Sequence, residues 1–217
     1  MVAVAVAPRV PTLADPRPIY LPPWRVDLTV GAGIRKLASS AGLARAVARA
    51  LVAAGAPSPA SIGLTLSDDR ALAALNATHM GQDGPTDVLS FPLLAPEAFP
   101  VHDGADRRPT SGPAARRAPR AAVFALPPGV RVHLGDIVVS VERAIDQARS
   151  GRGGWTGDVR WSPADELRLL VTHGTLHICG WDHADPAEEA AMRRLEWELL
   201  RLDAVGRAGP VSRAAPR

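Results

Sequence analysis

The sequence predicts a domain that contains both helices and strands, because two kinds of apolar periodicity follow one another along the chain. Four short runs, at 25–30, 61–67, 88–94 and 133–140, alternate polar and apolar residues or concentrate β-branched ones, as strands do. Between and after these runs, apolar residues recur every three or four positions, as on the buried face of a helix. The length of 217 residues suits one domain with appendages.

The first half of the domain predicts three strands and two helices. After strand 25–30, a helical pattern is expected to end near Gly55, with Leu43 off its apolar stripe of Ile34, Leu37, Ala41, Ala44, Val47 and Leu51. Strand 61–67 runs into Asp68, which suits the cap of a short helix. A polar, glycine-rich loop at 80–87 precedes strand 88–94. Pro92 predicts that this strand lies at a sheet edge or stops there.

The second half predicts one strand and three helices. Strand 133–140 continues into a helix over 141–148. Ser162 and Pro163 have the residue types of a helix start, and the apolar positions of that helix are Leu167, Leu170, Val171 and Leu176. Asp185 opens a final helix, whose core-facing positions are Met192, Leu195, Leu199 and Leu202.

Three segments interrupt or flank this pattern. Residues 1–23 hold six prolines and predict a disordered leader. Residues 95–131 are rich in proline, alanine, glycine and arginine and predict a flexible insertion without a core of its own. Residues 204–217 predict a disordered tail. The expected domain is therefore 24–203, interrupted at 95–131.

Charge, cysteine content and hydropathy indicate which ligands, disulfide bonds and location the protein can have. The net charge is +3, but the excess of basic over acidic residues lies in the three segments, and the remainder is mildly acidic. Basic arms can hold a polyanion through counterion release, or they can be plain solvated arginine. The single cysteine, Cys179, excludes an intrachain disulfide. No apolar run approaches the length that spans a bilayer, so we expect a cytoplasmic protein without membrane contact.

Three histidines near the end of the fourth predicted helix form the strongest functional signal. His173 and His177 are four residues apart and lie on one helix face. Gly180 suits the turn that ends a helix, so the chain can fold back and bring His183 to the other two. Three imidazoles with one position left for water are the usual ligands of a catalytic zinc. The spacing therefore predicts one zinc ion held by His173, His177 and His183.

The stretch 173–183, His-Gly-Thr-Leu-His-Ile-Cys-Gly-Trp-Asp-His, resembles the signature of the YbeY family of bacterial endoribonucleases. Three further stretches resemble the same family in the same order. They are the segment from Leu75 through the Pro-Thr-Asp-Val-Leu-Ser-Phe-Pro run at 85–92, the Leu-Gly-Asp-Ile run at 134–137, and the glutamate-rich last helix. The similarity covers roughly residues 25–94 and 132–203.

The resemblance implies a small α+β domain, with a mixed sheet of about four strands flanked by helices and a zinc site at the end of a helix. It implies a zinc-dependent endoribonuclease that prefers single-stranded RNA. The expected role is 16S rRNA 3′-end maturation and ribosome quality control. The implied partners are the rRNA precursor, the ribosomal small subunit and its assembly factors. The family's zinc ligands correspond to His173, His177 and His183.

The chain departs from the family pattern at two places. Met80 stands where the family usually has an arginine before a glycine, here Gly81. If that arginine helps to neutralise the scissile phosphate, His79 or a distant arginine must replace it. The segment between Pro92 and Leu134 is also longer than expected, and it is either a tolerated loop or an RNA-contacting arm.

The same histidine spacing occurs in metzincin proteases, where a glutamate after the first histidine is the general base. Here that residue is Gly174, which has no side chain. Zinc lowers the pKa of bound water towards about 7 and polarises a phosphoryl oxygen, so phosphodiester cleavage needs no such glutamate. The sequence therefore favours an endoribonuclease. The alternatives are a non-catalytic ribosome-assembly factor with a structural zinc, suggested by Met80, and a metzincin-like protease.

The remaining residues of these motifs are weaker candidates for a functional role, and no catalytic side chain is assigned. Asp182 either orients a ligand histidine or serves a turn. Asp87 and Ser90 are expected to hydrogen-bond between loop and strand, and Asp136 to serve a turn. Trp181 is expected to pack rather than to stack on a base, and Cys179 lies off the ligand face of the helix.

Overall fold

The computed structural model describes residues 15–102, 130–151, 161–183 and 185–207, and the side chains up to Arg201. Most of the expected leader, insertion and tail therefore lies outside the described residues. The first half contains β1 (Arg17–Leu21), β2 (Trp24–Val30), α1 (Ser40–Ala53), β3 (Ala60–Ser67), α2 (Asp69–His79) and β4 (Val88–Pro92). A short 3₁₀ helix (Pro96–Ala98) precedes β5 (Val132–Ser140), α3 (Val141–Ser150), α4 (Pro163–Ile178) and α5 (Pro186–Arg207).

The five strands form one mixed sheet in the order β1-β2-β3-β5-β4. The inner pairs β2–β3 and β3–β5 are parallel, whereas the outer pairs β1–β2 and β4–β5 are antiparallel. This is the predicted α+β architecture with five strands rather than about four. β4 lies at an edge of the sheet, as Pro92 predicted. Proline is tolerated in an edge strand because its missing N–H need not break a hydrogen bond between strands.

The additional strand corrects the expected start of the domain. β1 lies within residues 1–23, which were expected to be a disordered leader, and Pro18 faces Asp27 of β2 in the register. A proline is tolerated there because β1 is the edge strand of the sheet. The ordered domain therefore includes Arg17–Leu21.

The start of the insertion also corrects a prediction. Residues 95–102 were expected to be flexible, yet Phe99 is only 4% exposed and belongs to the main apolar core. At the other end, β5 begins at Val132, directly after the expected insertion. The described start of the expected insertion is thus part of the fold.

The core lies between the sheet and the helices that pack on it. Helix α4 contacts β4, β5, α1, α3 and α5, and its predicted apolar positions Leu167, Leu170, Val171 and Leu176 are all buried. In α1 the predicted positions Ala44, Val47 and Leu51 are buried, but the helix starts after the capping residue Ser39, so Ile34 and Leu37 lie before it. Contrary to the prediction, Leu43 is buried and Ala41 is exposed. Among the helices of the described ranges, none is both long and apolar enough to cross a membrane.

Candidate metal centre

Helix α4 places two histidines on the same side of its last turns. Its start is fixed by a capping box, in which Ser162 accepts from the Asp165 amide and the Asp165 side chain accepts from the Ser162 amide. Its end is fixed at Gly180, which adopts φ +83° and lets the chain turn back. The Trp181 amide then donates to the Leu176 carbonyl at 3.1 Å, so that the loop closes against the helix.

The three predicted ligands converge as expected. One ring nitrogen from each of His173, His177 and His183 lies within 4.8 Å of the other two, a set that is able to hold one metal ion. The Nε2 atoms of His173 and His177 are 3.0 Å apart. The ring centroid of His183 lies 5.1 Å from that of His177 and 5.9 Å from that of His173. His183 is exposed and the other two are half-buried, so the cluster opens towards solvent on the side of His183.

The hydrogen bonds of His173 and His177 determine which ring nitrogen of each residue is free to bind a metal ion. Nδ1 of His177 lies 2.8 Å from the Trp181 carbonyl, which can only accept, so Nδ1 carries the proton. Nδ1 of His173 likewise donates to the Glu196 carboxylate at 2.7 Å. The Nε2 atoms of both rings therefore face each other and are the atoms available to a shared cation. Imidazole nitrogens of this kind are zinc ligands, so the donor set fits a metal ion.

The surroundings of His177 keep its ring unprotonated. Burial lowers the pKa of His177 to about 4, and the neighbouring imidazoles of His173 and His183 lower it in the same direction. The hydrogen bond to the Trp181 carbonyl opposes this effect but does not outweigh it. At neutral pH the ring therefore does not need to lose a proton before it binds a metal.

Glu196 is a residue of this site that the sequence analysis missed. It lies on α5, is 5% exposed, and accepts from His173 at 2.7 Å. Carboxylates in this position fix the tautomer and the ring orientation of metal-binding histidines. A signal was present in the sequence, since position 196 lies between Met192 and Leu199 on the apolar stripe, where a carboxylate is rarely buried without a partner.

Gly174 explains how close the histidine helix lies to the sheet. A Cβ atom at this position would come 2.8 Å from Cγ2 of Ile137 and 3.0 Å from Cγ2 of Val88. The Gly174 carbonyl also accepts from the Ser90 hydroxyl at 3.0 Å. A side chain at position 174 would thus be directed into β4 and β5 and would not fit, so this site has no room for the metzincin glutamate.

The polar residues around the motifs have structural roles. Ser90 joins β4 to α4 as described, and Asp87 accepts from the Val88 amide at 2.9 Å and from Gln147 at 2.9 Å. The Asp182 side chain accepts from the amide of His183 at 2.7 Å. Asp182 is therefore a turn residue, and Glu196 occupies the histidine-orienting position that Asp182 was a candidate for.

The other motif residues lie outside the histidine cluster. Asp136 was expected to serve a turn, but it lies within β5, with 3.3 Å between its Oδ1 and Nε2 of His133. Trp181 is 7% exposed and packs against the ring of His102. Cys179 is 1% exposed, and burial raises the pKa of its thiol to about 12, which opposes formation of the metal-binding thiolate. Met80 is 47% exposed at the end of α2.

A mixed five-stranded sheet with a three-histidine cluster at the end of one helix defines the class of this protein as a small α+β domain with a cluster able to hold a metal ion. The family of Endoribonuclease YbeY matches residues 33–202. The chain belongs to this family. The sequence resemblance is therefore confirmed over most of the chain.

Several relatives named Endoribonuclease YbeY are similar to the chain. The protein of Symbiobacterium thermophilum is 37% identical over 150 residues, which cover 69% of this chain and 76% of the relative. The protein of Salinispora tropica is 40% identical over 157 residues, covering 71% and 82%. That of a Roseiflexus species is 33% identical over 177 residues, covering 81% and 91%.

Proposed function

We propose that this protein is a metal-dependent endoribonuclease that binds one zinc ion through His173, His177 and His183 and cleaves single-stranded RNA. The proposed role is 16S rRNA 3′-end maturation and ribosome quality control in the cytoplasm, with the small subunit and its assembly factors as partners. The observation that carries the proposal is the pair of Nε2 atoms 3.0 Å apart, next to a third imidazole. Family membership supports RNA as the substrate.

The chain's own residues would have two tasks in this reaction. Glu196 and the Trp181 carbonyl hold the Nδ1 protons of His173 and His177, so that both Nε2 atoms stay available as ligands. The exposed His183 leaves one side of the cluster accessible to a strand of RNA. When bound, the zinc ion supplies Lewis-acid stabilisation of charge on the phosphate.

A single experiment separates the hypotheses. Zinc-loaded protein is incubated with a single-stranded RNA and, separately, with casein, each beside a His177→Ala control. We expect RNA cleavage that a chelator and His177→Ala both abolish. Loss of casein would favour the protease, which the packing at Gly174 opposes. Intact RNA, together with binding to the small subunit, would refute the nuclease proposal.

The non-catalytic alternative has one specific observation in its favour. Met80 is exposed at the end of α2, and it stands where the family usually has an arginine. A thioether cannot neutralise a phosphate. If the reaction needs a positive charge at this position, the protein would bind metal and ribosomes without cleaving RNA, which is the third outcome of the same experiment.

A further inference from the structure

Residues 96–102, called the strap below, follow β4 and end beside the loop between His177 and His183. Phe99 anchors the strap in the main core, and Pro100 lies against Gly55 at the end of α1, where an added Cβ would be 2.8 Å from the proline ring. His102 is its last described residue. The strap lies in the segment between β4 and β5 that is longer than expected for the family.

His102 makes three contacts, all with the region between the metal-binding histidines and α5. Its ring stacks on Trp181 with 3.9 Å between centroids and an interplanar angle of 10°. Its Nε2 atom lies 3.3 Å from the Gly180 carbonyl and 3.3 Å from the Glu188 carboxylate. Both oxygens accept, so Nε2 carries a proton. The His102 side chain is only 8% exposed.

The groups that His102 contacts hold the loop between His177 and His183. The Trp181 carbonyl accepts from Nδ1 of His177 at 2.8 Å. Glu188 accepts from the Asp182 amide at 2.9 Å, one residue before His183. The route from His102 to His177 thus passes through Trp181, and the route to His183 passes through Glu188 and Asp182.

We infer that His102 is a positioning residue of the metal centre. Resting on the metal binding proposed above, it holds Trp181 and Glu188 so that the loop keeps His177 and His183 in the metal-binding arrangement. An open pocket of about 420 Å³, lined by His102, Trp181 and Leu195 among others, adjoins the strap. Loss of the imidazole would enlarge this space over the ring of Trp181 and weaken the hold on the loop.

The test uses the full chain with three substitutions. His102→Phe keeps a ring on Trp181 but removes the Nε2 proton, His102→Gln keeps a donor but removes the ring, and His102→Ala removes both. His133→Ala is the matched control, because His133 contacts Ser61 and Asp136 rather than the loop. Zinc affinity is measured by chelator competition. Hydrogen–deuterium exchange of residues 180–183 is measured on the metal-free protein.

We expect His102→Ala to lower zinc affinity by on the order of 10-fold and to speed exchange in the loop, with smaller effects for the other two. His133→Ala should leave both quantities unchanged. If His102→Ala does not fold, His102→Phe decides the question, since it fills the same space. Unchanged affinity and unchanged exchange would overturn the inference while the proposed function stands. If the wild-type protein bound no zinc, the proposed function and the inference would both fail, whereas loop exchange would still show whether His102 restrains the loop.

Discussion

Substitution of Gly174 by alanine tests whether the histidine helix lies as close to the sheet as the structure indicates. The added Cβ would be 2.8 Å from Ile137, 3.0 Å from Val88 and 3.2 Å from the Ser90 hydroxyl. Carbon atoms in contact normally lie about 3.5–4.0 Å apart. Either α4 or the Ile137 side chain must therefore move by several tenths of an ångström.

Two effects of opposite sign determine the change in stability. Alanine is favoured over glycine inside a helix by about 1 kcal/mol. Overfilling a packed core costs about 1–3 kcal/mol, and the upper part of that range applies here because Ile137 is fully buried and β-branched. We therefore expect Gly174→Ala to lower the free energy of unfolding by about 1–2 kcal/mol, which is the packing cost less the gain in helix propensity.

Urea unfolding of the metal-free protein, followed by circular dichroism, measures this change. The matched background is Ile137→Leu, which removes the Cγ2 methyl group while nearly conserving volume. In that background the cost of Gly174→Ala should fall by at least about 1 kcal/mol, as expected for residues in contact. Equal costs in the two backgrounds, or a stabilising effect of alanine in the wild type, would refute the packing argument.

Three further predictions concern the metal centre. Glu196→Gln should lower zinc affinity by about 10–100-fold, because the charge that holds the His173 proton is lost, and chelator competition measures it; wild-type affinity would contradict the assigned role. The metal-free protein should lose stability as the pH falls from about 6.5 towards 4, by up to about 1.4 kcal/mol per pH unit, because the pKa of His177 is lowered to about 4 in the folded state and the unfolded chain binds the proton first. Urea midpoints across this range measure the slope, which His177→Ala should reduce; an unchanged slope in that variant would assign it to another group. Met80→Arg should raise the rate of RNA cleavage without changing zinc affinity if phosphate charge limits the reaction, and an unchanged rate would show that another group already meets this need.

Much of the fold could be predicted because its signals are local. The capping box at Ser162 and the apolar positions of α4 depend on residues within one or two turns, and both are confirmed. Strand β1 could not be predicted in this way. Pro18 within it and the prolines on either side weaken any strand pattern. Its stability comes from pairing with β2 at the edge of the sheet, which the segment alone does not encode.

In the candidate site, too, local contacts could be predicted and contacts between distant segments could not. The spacing of His173, His177 and His183 predicted their convergence, because a helix and one turn suffice to bring them together. The partners that orient the rings come from elsewhere. Glu196 reaches His173 from α5, and the stacking of His102 on Trp181 comes from a segment with no recognisable periodicity. Such contacts between distant parts of the chain leave only indirect traces in one sequence.

These distant contacts have a physical consequence for the metal centre. A helix fixes the positions of the His173 and His177 backbones but leaves each ring free to rotate and to exchange tautomers. The Glu196 carboxylate and the Trp181 carbonyl remove that freedom by accepting the two Nδ1 protons. The Nε2 atoms then face one another, 3.0 Å apart, before any ion arrives, so neither ring has to turn when an ion binds. Affinity for a cation therefore depends on residues that never touch it, which is why Glu196 substitution is expected to weaken binding while the three imidazoles remain in place.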